Sequence, residues 1–323
     1  MSKEIELKMI ASPVSVKSGL PELLKKLDVK KVKETWLVNK YFDTHDLLLN
    51  KACIALRIRE KGGRFIQTLK TKGDTVGGLS QRGEWEWGLS GCKLDVTCLH
   101  EGGWPEGIPV AELAEVFETN FKRTSAVVEL KGGRAELAVD DGYILAGGVK
   151  SPLSEVEIEL IDGDAGVLFE VAEIVAHAMS VMVADVSKAE KGYRLVSGGE
   201  MKAFSYPLGC VSDSKSVIKE LVSRNLSHWL FLVDQFEVRH ARLSILELVG
   251  VLTTLREVVG IYRSIDGLND FSYFELFDLE INALGALLDE VVANDCLCDV
   301  GRLLSSGRAG VLSVELSRWL RTL

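Results

Sequence analysis

Short segments of this chain carry charged residues at every second position, with large apolar residues between them. Side chains two apart in a β-strand point to the same side, so each segment predicts a strand with one charged and one apolar face. A solvated face usually mixes both signs of charge with Ser, Thr and Gln, whereas two of these rows are acidic and two are basic. The rows are Glu4–Glu6, Arg57–Arg59, Lys70–Lys72 and Glu155–Glu157–Glu159.

A closed barrel accommodates this pattern, with the apolar rows packed outward against helices and the charged rows facing a polar lumen. Lys8 shares a face with Glu4, and Arg82 shares one with Glu84, so both signs of charge would meet there. Clustered carboxylates need a cation, and clustered Arg and Lys side chains need an anion. The pattern therefore indicates a polyphosphate bridged to the protein by a hard divalent metal, Mg²⁺ or Mn²⁺.

The alternation and the glycine-containing turns extend this β-rich region to about residue 161. Strands are predicted over residues 4–10, 54–60, 64–72, 83–89, 126–131, 134–140 and 154–161. Turns are predicted at residues 61–63, 77–78, 131–133 and 140–142. Helices are predicted to interrupt the strands at residues 18–27, 109–119 and 166–180.

From about residue 211 the hydrophobic periodicity is that of long helices. They are predicted over residues 214–236, 237–263, 273–293 and 310–321. Pro207 and Gly209 mark the preceding segment as a linker. The expected division is a first domain at residues 1–200, a linker at 201–213 and a helical domain at 214–323.

The charge and hydropathy patterns exclude several classes of function. A formal net charge of −9 argues against non-specific binding to nucleic acid or to a membrane surface. No apolar run is long enough to span a bilayer, and the first residues lack the apolar segment of a signal peptide. We therefore expect a cytoplasmic protein. The 6 cysteines form no CxxC pair, and we interpret them as ordinary thiols.

Taken in order, the charged strands match a set of family motifs. Glu4-Ile5-Glu6-Leu7-Lys8 has the form ExExK, and Glu155-Val156-Glu157-Ile158-Glu159 has the form ExExE. Between and after them lie Tyr41-Phe42-Asp43-Thr44, Leu56-Arg57-Ile58-Arg59, Thr68-Leu69-Lys70, Arg82-Gly83-Glu84, Arg123 and Ser187-Lys188-Ala189. This series resembles the CYTH superfamily, also called the triphosphate tunnel metalloenzymes, over about residues 1–200.

The resemblance implies an α+β fold: an eight-stranded antiparallel β-barrel with a polar central tunnel and flanking helices, followed by an all-α domain. It also implies roles for the charged residues. Those expected to bind phosphate oxygens are Lys8, Arg57, Arg59, Lys70, Arg82, Arg123 and Lys188. Those expected to bind Mg²⁺ or Mn²⁺ are Glu4, Glu6, Glu157 and Glu159, with Glu155 and Asp140 as further metal contacts and Glu84 beside them. The implied catalytic set is Glu4, Glu6, Lys8, Glu157 and Glu159.

The two-part arrangement is most similar to bacterial inorganic triphosphatases that carry a C-terminal helical CHAD domain. The implied activity is metal-dependent hydrolysis of inorganic triphosphate to diphosphate and phosphate. The helical region is shorter than a usual CHAD domain and diverges from its basic motif, with Leu246, Glu247 and Val249 at positions that usually hold Arg. We therefore expect this region to serve in packing, in homodimerisation or in contact with a protein partner.

Other functions remain open on the same fold. A thiamine triphosphatase, a nucleotide triphosphatase or a class IV adenylate cyclase would use the same metal ligands. An organic substrate would need a pocket at a tunnel mouth, for which Trp85 and Trp87 could stack, although outward packing is favoured for both. A non-catalytic polyphosphate-binding module is another alternative, but binding a polyanion needs no row of glutamates.

Overall fold

Eight antiparallel strands close into a barrel. The computed structural model describes residues 2–101, 104–198, 204–206, 213–239, 242–264, 273–294 and 307–323. In chain order the barrel strands are β1 (Ser2–Ala11), β2 (Lys33–Asp43), β3 (Ala55–Lys61), β4 (Arg64–Lys70), β6 (Leu79–Leu89), β7 (Ala114–Leu130), β8 (Gly133–Ala146) and β9 (Val149–Gly163). Around the barrel the order is β1-β9-β8-β7-β2-β3-β4-β6, and pairing of β6 with β1 closes the ring.

Two short strands and a series of helices surround the barrel. β5 (Asp74–Val76) forms a hairpin with β6, and β10 (Val181–Val183) pairs with the end of β1. The helices beside the barrel are α1 (Pro13–Lys26), α2 (Leu48–Lys51), α3 (Val96–Glu101), α4 (Gly166–Ala178) and α5 (Lys188–Val196). The later helices are α6 (Ser214–Arg239), α7 (Arg242–Arg263), α8 (Phe274–Asn294) and α9 (Gly307–Thr322).

The alternation along β1 and β9 sorts their side chains as predicted. Leu7 and Ile158 point outward and are fully buried in a hydrophobic cluster that includes α1 and α4. The charged residues of the same strands point into the barrel. In the strand register, Glu4 lies opposite Arg82 and Glu6 lies opposite Glu159. The expected barrel, with apolar rows outside and charged rows inside, is confirmed.

Glycines set the turns and one close approach between strands. Gly77 and Gly78 join β5 to β6 with φ angles of 57° and 76°, which a two-residue hairpin of this kind requires. Gly62 and Gly63 join β3 to β4 in the same way. The turn predicted at residues 140–142 is wrong, because these residues lie inside β8. A Cβ atom at Gly142 would lie 2.1 Å from the carbonyl oxygen of Asn120, so glycine lets β7 and β8 approach there.

Three other parts of the predicted secondary structure differ from the observed strands. The helix predicted over residues 109–119 is a short 3₁₀ turn followed by the start of β7. β7 pairs with β2 on one side and β8 on the other, and this tertiary pairing overrides the local helical pattern. β2 was not predicted at all. The strand predicted to reach Lys72 ends at Lys70.

The helices predicted after residue 211 are present and pack on the barrel. α9 lies among α4, α6, α8 and β10, and most of its residues are buried. Buried residues of these helices, such as Trp229, belong to the same hydrophobic cluster as Leu7 of β1. Most of the predicted linker at 201–213 lies outside the described residues. Among the helices that the structure describes, none has the length and apolar character needed to cross a bilayer.

Candidate functional site

The barrel lumen is a cavity lined mainly by ionisable side chains. Each of the eight barrel strands contributes to it, and α5 contributes at one end. The acidic lining residues are Glu4, Glu6, Glu84, Glu86, Glu136, Glu157 and Glu159. The basic lining residues are Lys8, Lys33, Arg57, Arg59, Lys61, Lys70, Arg82, Arg123 and Lys188.

One set of ion pairs joins β1 to β4 and β6. Lys70 Nζ lies 2.6 Å from Glu4 Oε1, and Arg82 Nε lies 2.9 Å from Glu4 Oε2. Arg82 also donates to Glu6 Oε1 at 2.7 Å. Burial alone would raise the pKa of Glu4, but the adjacent cations Lys70 and Arg82 lower it to about 2. Glu4 is therefore a carboxylate across the physiological pH range.

A second set joins β7, β8, β9 and α5. Arg123 donates two hydrogen bonds of 2.7 Å to the carboxylate of Asp140 and another to Glu157. Lys188 Nζ lies 2.8 Å from Asp140 and 2.9 Å from Glu157, and it also pairs with Glu155. Burial would raise the pKa of Glu157, but Lys188 and Arg123 hold it well below its ordinary value. Cations thus balance these buried acids.

The start of α5 places Lys188 in the lumen. Ser187 caps the helix by accepting a hydrogen bond from the Glu190 backbone, and the Glu190 side chain accepts one from Ser187 in return. Gly192 allows the helix to approach β7 closely, since a Cβ atom there would lie 2.1 Å from the ring of Phe117. The Ser-Lys segment is thus a helix start that points its first side chain at the acids of β8 and β9.

Glu159 is the acid in the lumen whose charge is least balanced. It lies opposite Glu6 in the register, and within the described residues no cation lies within ion-pair distance of it. Burial and the nearby carboxylates Glu4 and Glu6 together raise its pKa to about 7. A divalent cation here would restore the charge balance.

Arg59 carries a positive charge that is not balanced by an adjacent carboxylate. Its guanidinium donates to Asn39 Oδ1 at 2.7 Å, and it forms no ion pair with the acids that the structure describes. Burial and the like charges of Arg57 and Arg123 together lower the pKa of Arg59 to about 10. Arg57 is buried as well; its Nη2 lies 3.8 Å from Glu84, and its Nε has no hydrogen-bond partner within the described chain. These two arginines form a local excess of positive charge that an anion would neutralise.

The structure offers two places where carboxylates could hold a metal ion. Asp140, Glu155 and Glu157 have oxygen atoms within 4.8 Å of one another. Their oxygens already bind the ammonium of Lys188 and the guanidinium of Arg123. Glu4, Glu6 and Glu159 form the other place; all three line the lumen, but their oxygens are not grouped within the same distance. Cations already pair with Glu4 and Glu6, whereas Glu159 has no ion pair among the described residues. The donor set at the second place fits Mg²⁺ or Mn²⁺.

The structure brings most of the predicted site residues into one cavity. Two of them lie behind its wall, since Asp140 and Glu155 are fully buried and do not line the lumen. Glu84 lines the lumen and pairs with Lys70 at 3.1 Å. Trp85 and Trp87 are absent from the lining, and Trp87 packs outward against Leu69.

Four charged lumen residues were assigned no role from the sequence, namely Lys33, Lys61, Glu86 and Glu136. The strand period could have identified three of them, and Glu86 follows Glu84 by two residues. Lys61 follows Arg59 by two residues, and Glu136 precedes Asp140 by four within a predicted strand. Lys33 lies on β2, the strand that the sequence analysis did not detect.

The Tyr41-Phe42-Asp43-Thr44 segment supports the wall of the lumen at the end of β2, where Tyr41 is one of the lining residues. The Asp43 carboxylate accepts hydrogen bonds of 2.9 Å from the backbone of Leu49 and of Asn50. It thereby fixes the loop and short helix between β2 and β3. The ring of Tyr41 stacks on Phe117 with 4.4 Å between centroids, in a cluster that also contains Tyr193 of α5. The segment positions β3 and α5, which carry Arg57, Arg59 and Lys188.

Comparison with known proteins identifies a relative of known activity. An inorganic triphosphatase of Haemophilus influenzae is 35% identical over 198 residues, which are 61% of this chain and 56% of that protein. The chain therefore spans only a little over half the length of this relative.

Solved structures with related barrels are more distant. A candidate adenylyl cyclase of Hippeastrum, for which a dominant triphosphatase activity is described, is 20% identical with a TM-score of 0.43, over 61% of this chain and 97% of that one. A candidate adenylate cyclase of Bacillus halodurans is 25% identical with a TM-score of 0.38, over 59% of this chain and 98% of that one. These scores are too low to carry a functional comparison.

The family assignment rests on a match to the whole barrel. The CYTH domain family matches residues 2–193, which contain every charged strand of the lumen and the start of α5 with Lys188. Because this match covers more than half of the chain, the protein belongs to the CYTH family.

Proposed function

We propose that this chain hydrolyses inorganic triphosphate to diphosphate and phosphate in the barrel lumen, with Mg²⁺ or Mn²⁺ as cofactor. The observation that carries the proposal is that one cavity contains an acid without a neighbouring cation and a cation without a neighbouring acid. Glu159 lacks a cation and Arg59 lacks a carboxylate within the described residues. A metal–triphosphate complex supplies both missing charges at once. The 35% identity to an inorganic triphosphatase supports the choice of substrate.

Glu4, Glu6, Glu157 and Glu159 would hold the metal, as hard oxygen ligands from β1 and β9. The bound metal would supply Lewis acidity and lower the pKa of an attacking water. Asp140 and Glu155 are assigned a different role, because they are fully buried behind the lumen wall, where Arg123 and Lys188 pair with them. They would orient these two cations toward the lumen. That Asp140 and Glu155 contact the metal directly stays a prediction from the family resemblance.

The basic residues would hold the triphosphate. Arg59 presents a guanidinium group without an ion pair among the described residues, and Arg57 has a 3.8 Å contact with Glu84. Guanidinium binds phosphate oxygens in a fork geometry. Lys8, Lys70, Arg82, Arg123 and Lys188 line the same cavity and would neutralise charge as it shifts to the leaving diphosphate. Water attacks the terminal phosphorus, the bond to the bridging oxygen breaks, and diphosphate leaves. Positioning and charge neutralisation supply most of the catalysis in such reactions.

A phosphate-release assay tests the proposal directly. Inorganic triphosphate, thiamine triphosphate and ATP are compared with Mg²⁺, with Mn²⁺ and with a chelator present. Turnover of inorganic triphosphate that the chelator abolishes is the expected result. Faster turnover of an organic triphosphate would replace the substrate assignment, and binding without turnover would indicate a non-catalytic polyphosphate-binding module. Glu6→Ala and Glu157→Ala should both abolish turnover, and full activity in either would overturn the metal assignment.

We also propose that residues 1–200 form the catalytic domain and residues 214–323 a distinct helical domain of the CHAD type. The shared hydrophobic cluster indicates that the helical region is packed against the barrel. The uncharged and acidic residues Leu246, Glu247 and Val249, in place of the arginines of the basic motif, support a role other than polyphosphate binding.

A further inference from the structure

Helix α6, outside the family match, presents three residues to the segment that contains Lys188. Ser227, Phe231 and Asp234 follow one another at intervals of four and three residues, so they lie on one face of α6. This face contacts residues 185–194, which lead into α5 and form most of it.

Asp234 holds the far end of that segment. Arg194 Nη2 donates to Asp234 Oδ2 at 2.6 Å. The side chain of Asp234 is only 8% exposed and that of Arg194 only 20% exposed. Water therefore competes weakly with this charge-assisted hydrogen bond, and losing either partner would leave a buried charge unpaired.

Ser227 holds the near end. Its hydroxyl lies beside the carboxylate of Asp185 and favours the charged form of that carboxylate, which lowers the pKa that burial raises. Asp185 accepts a hydrogen bond of 2.7 Å from the backbone of Gly78, in the turn between β5 and β6. The near end is thus fixed both to α6 and to a barrel hairpin.

Phe231 lies between the two contacts, in the wall of a second cavity. Asp185, Ser187 and Arg194 line the same cavity. Lys8, Lys70 and Arg82 line both this cavity and the lumen, so the two spaces adjoin. The face of α6 therefore reaches the border of the lumen itself.

We propose that Asp234 and Ser227 are positioning residues for Lys188. They tie down Asp185 and Arg194, and Lys188 lies on the chain between these two. Lys188 Nζ in turn pairs with Asp140, Glu155 and Glu157 at the lumen wall. In this arrangement the helical region completes the catalytic site by fixing the start of α5. The changes in kcat/KM that this proposal predicts rest on the proposed triphosphatase activity.

A double-mutant cycle tests the route through Lys188. Asp234→Asn removes the charge with little change in volume, and kcat/KM for triphosphate should fall by at least about tenfold, because small displacements of a catalytic group are costly. Asp234→Glu should restore most of the activity. In a Lys188→Met background, Asp234→Asn should have little further effect, since residues that act through one another are not additive. A full additional loss in that background would overturn the proposal.

Matched variants separate positioning from loss of fold. Ser227→Ala removes the weaker contact and should lower kcat/KM in the same direction, with the melting temperature nearly unchanged. Glu257→Gln on α7 breaks an exposed pair with Arg256, in which Glu257 is 65% exposed, and should leave activity at the wild-type level. Unchanged activity in both Asp234→Asn and Ser227→Ala would contradict the proposal.

Chemical labelling gives a readout that does not require turnover. Lys188 is 6% exposed, and its acetylation by acetic anhydride can be followed by mass spectrometry of its peptide. Labelling should rise severalfold in Asp234→Asn and stay at the wild-type level in Glu257→Gln. If wild-type protein fails to hydrolyse triphosphate, the proposed function is wrong, and the labelling result still decides the positioning role. Equal labelling in wild type and Asp234→Asn would show that Lys188 does not depend on α6.

Discussion

Glu6 and Glu159 lie directly opposite each other on β1 and β9, and both side chains face the lumen. Carboxylates placed opposite each other on neighbouring strands destabilise a sheet unless a cation lies between them. Arg82 pairs with Glu6, whereas Glu159 has no ion pair among the described residues. The repulsion therefore acts on Glu159, and its pKa is raised to about 7 by burial and by the nearby acids. This pair makes the proposed metal site testable by pH.

Metal binding should weaken as the pH falls through about 7. In the metal-free protein Glu159 takes up a proton in this range, and a metal ion must displace that proton to bind. The dissociation constant for Mn²⁺ should rise by up to about tenfold per pH unit below about pH 7. Titration calorimetry between about pH 6 and pH 8 measures it. Glu159→Gln should bind Mn²⁺ weakly at every pH, and a wild-type dissociation constant that is flat across this range would contradict the assignment.

The same residue should make the metal-free protein less stable at higher pH. The pKa of Glu159 is raised from an ordinary value of 4.5, so the folded state holds a proton that the unfolded state has lost. Its contribution is fully present below the ordinary pKa of 4.5, declines as the pH rises above that value, and is lost once the pH has risen through about 7. Glu159→Gln, which mimics the protonated form, should stabilise the metal-free protein at about pH 8 by on the order of 1–3 kcal/mol. At about pH 4 the variant and wild type should unfold at the same urea concentration, and a stabilisation equal at both pH values would point to another cause.

Replacement of Arg59 and of Arg123 by Met should have different effects on the free energy of unfolding. Arg59 has no carboxylate partner among the described residues, whereas Arg123 pairs with Asp140 and Glu157. Arg59→Met should leave the free energy of unfolding unchanged or higher, and should raise KM for triphosphate by at least about tenfold through loss of a charged phosphate contact.

Arg123→Met serves as the comparison, and should lower the free energy of unfolding by about 3–5 kcal/mol because two buried carboxylates lose their partner. Urea unfolding in the presence of a chelator compares the two variants, and steady-state kinetics gives KM. Equal destabilisation by both substitutions would show that Arg59 has a structural partner after all.

The sequence could predict the barrel and the lumen because both follow from a period of two residues. Glu4, Arg57 and Glu157 point inward wherever their strands lie, so their common face does not depend on the exact register. The partners of these residues do depend on it. Nothing in the alternation showed that Lys188 would enter among Asp140, Glu155 and Glu157, because α5 approaches these strands only in the folded barrel. The contact of Asp234 with Arg194 likewise joins segments that only the packing of α6 brings together.

Substitutions of Asp140 and of Glu6 should have different effects, because the two acids are expected to have different roles. Asp140 is fully buried and bound by Arg123 and Lys188, whereas Glu6 faces the lumen beside Glu159. Asp140→Asn should lower the free energy of unfolding by about 3 kcal/mol in the presence of a chelator, since it leaves buried cations unbalanced. Its dissociation constant for Mn²⁺ should change little. Glu6→Gln should lose Mn²⁺ affinity with a smaller effect on stability. Loss of Mn²⁺ binding by Asp140→Asn at unchanged stability would instead make Asp140 a metal ligand, as the family resemblance implies.

Gly192 should be as important for activity as a charged residue, because it sets the distance between α5 and β7. A Cβ atom at this position would lie 2.1 Å from the Phe117 ring, so Gly192→Ala must push α5 outward together with Lys188. We expect a loss of about 1–3 kcal/mol in the free energy of unfolding from overpacking. We also expect kcat/KM to fall more than the residual folded fraction explains.

Gly250→Ala on α7 is the matched control. Among the described residues, and apart from the neighbouring backbone of α7, no atom lies within 4 Å of a Cβ built there. The change should stabilise the helix by about 0.5–1 kcal/mol without affecting activity. Urea unfolding and triphosphate kinetics on the two alanine variants measure both effects. If Gly192→Ala kept full activity, the position of α5 would not control that of Lys188. The assignment of α5 and its contacts with α6 to the catalytic site would then fail.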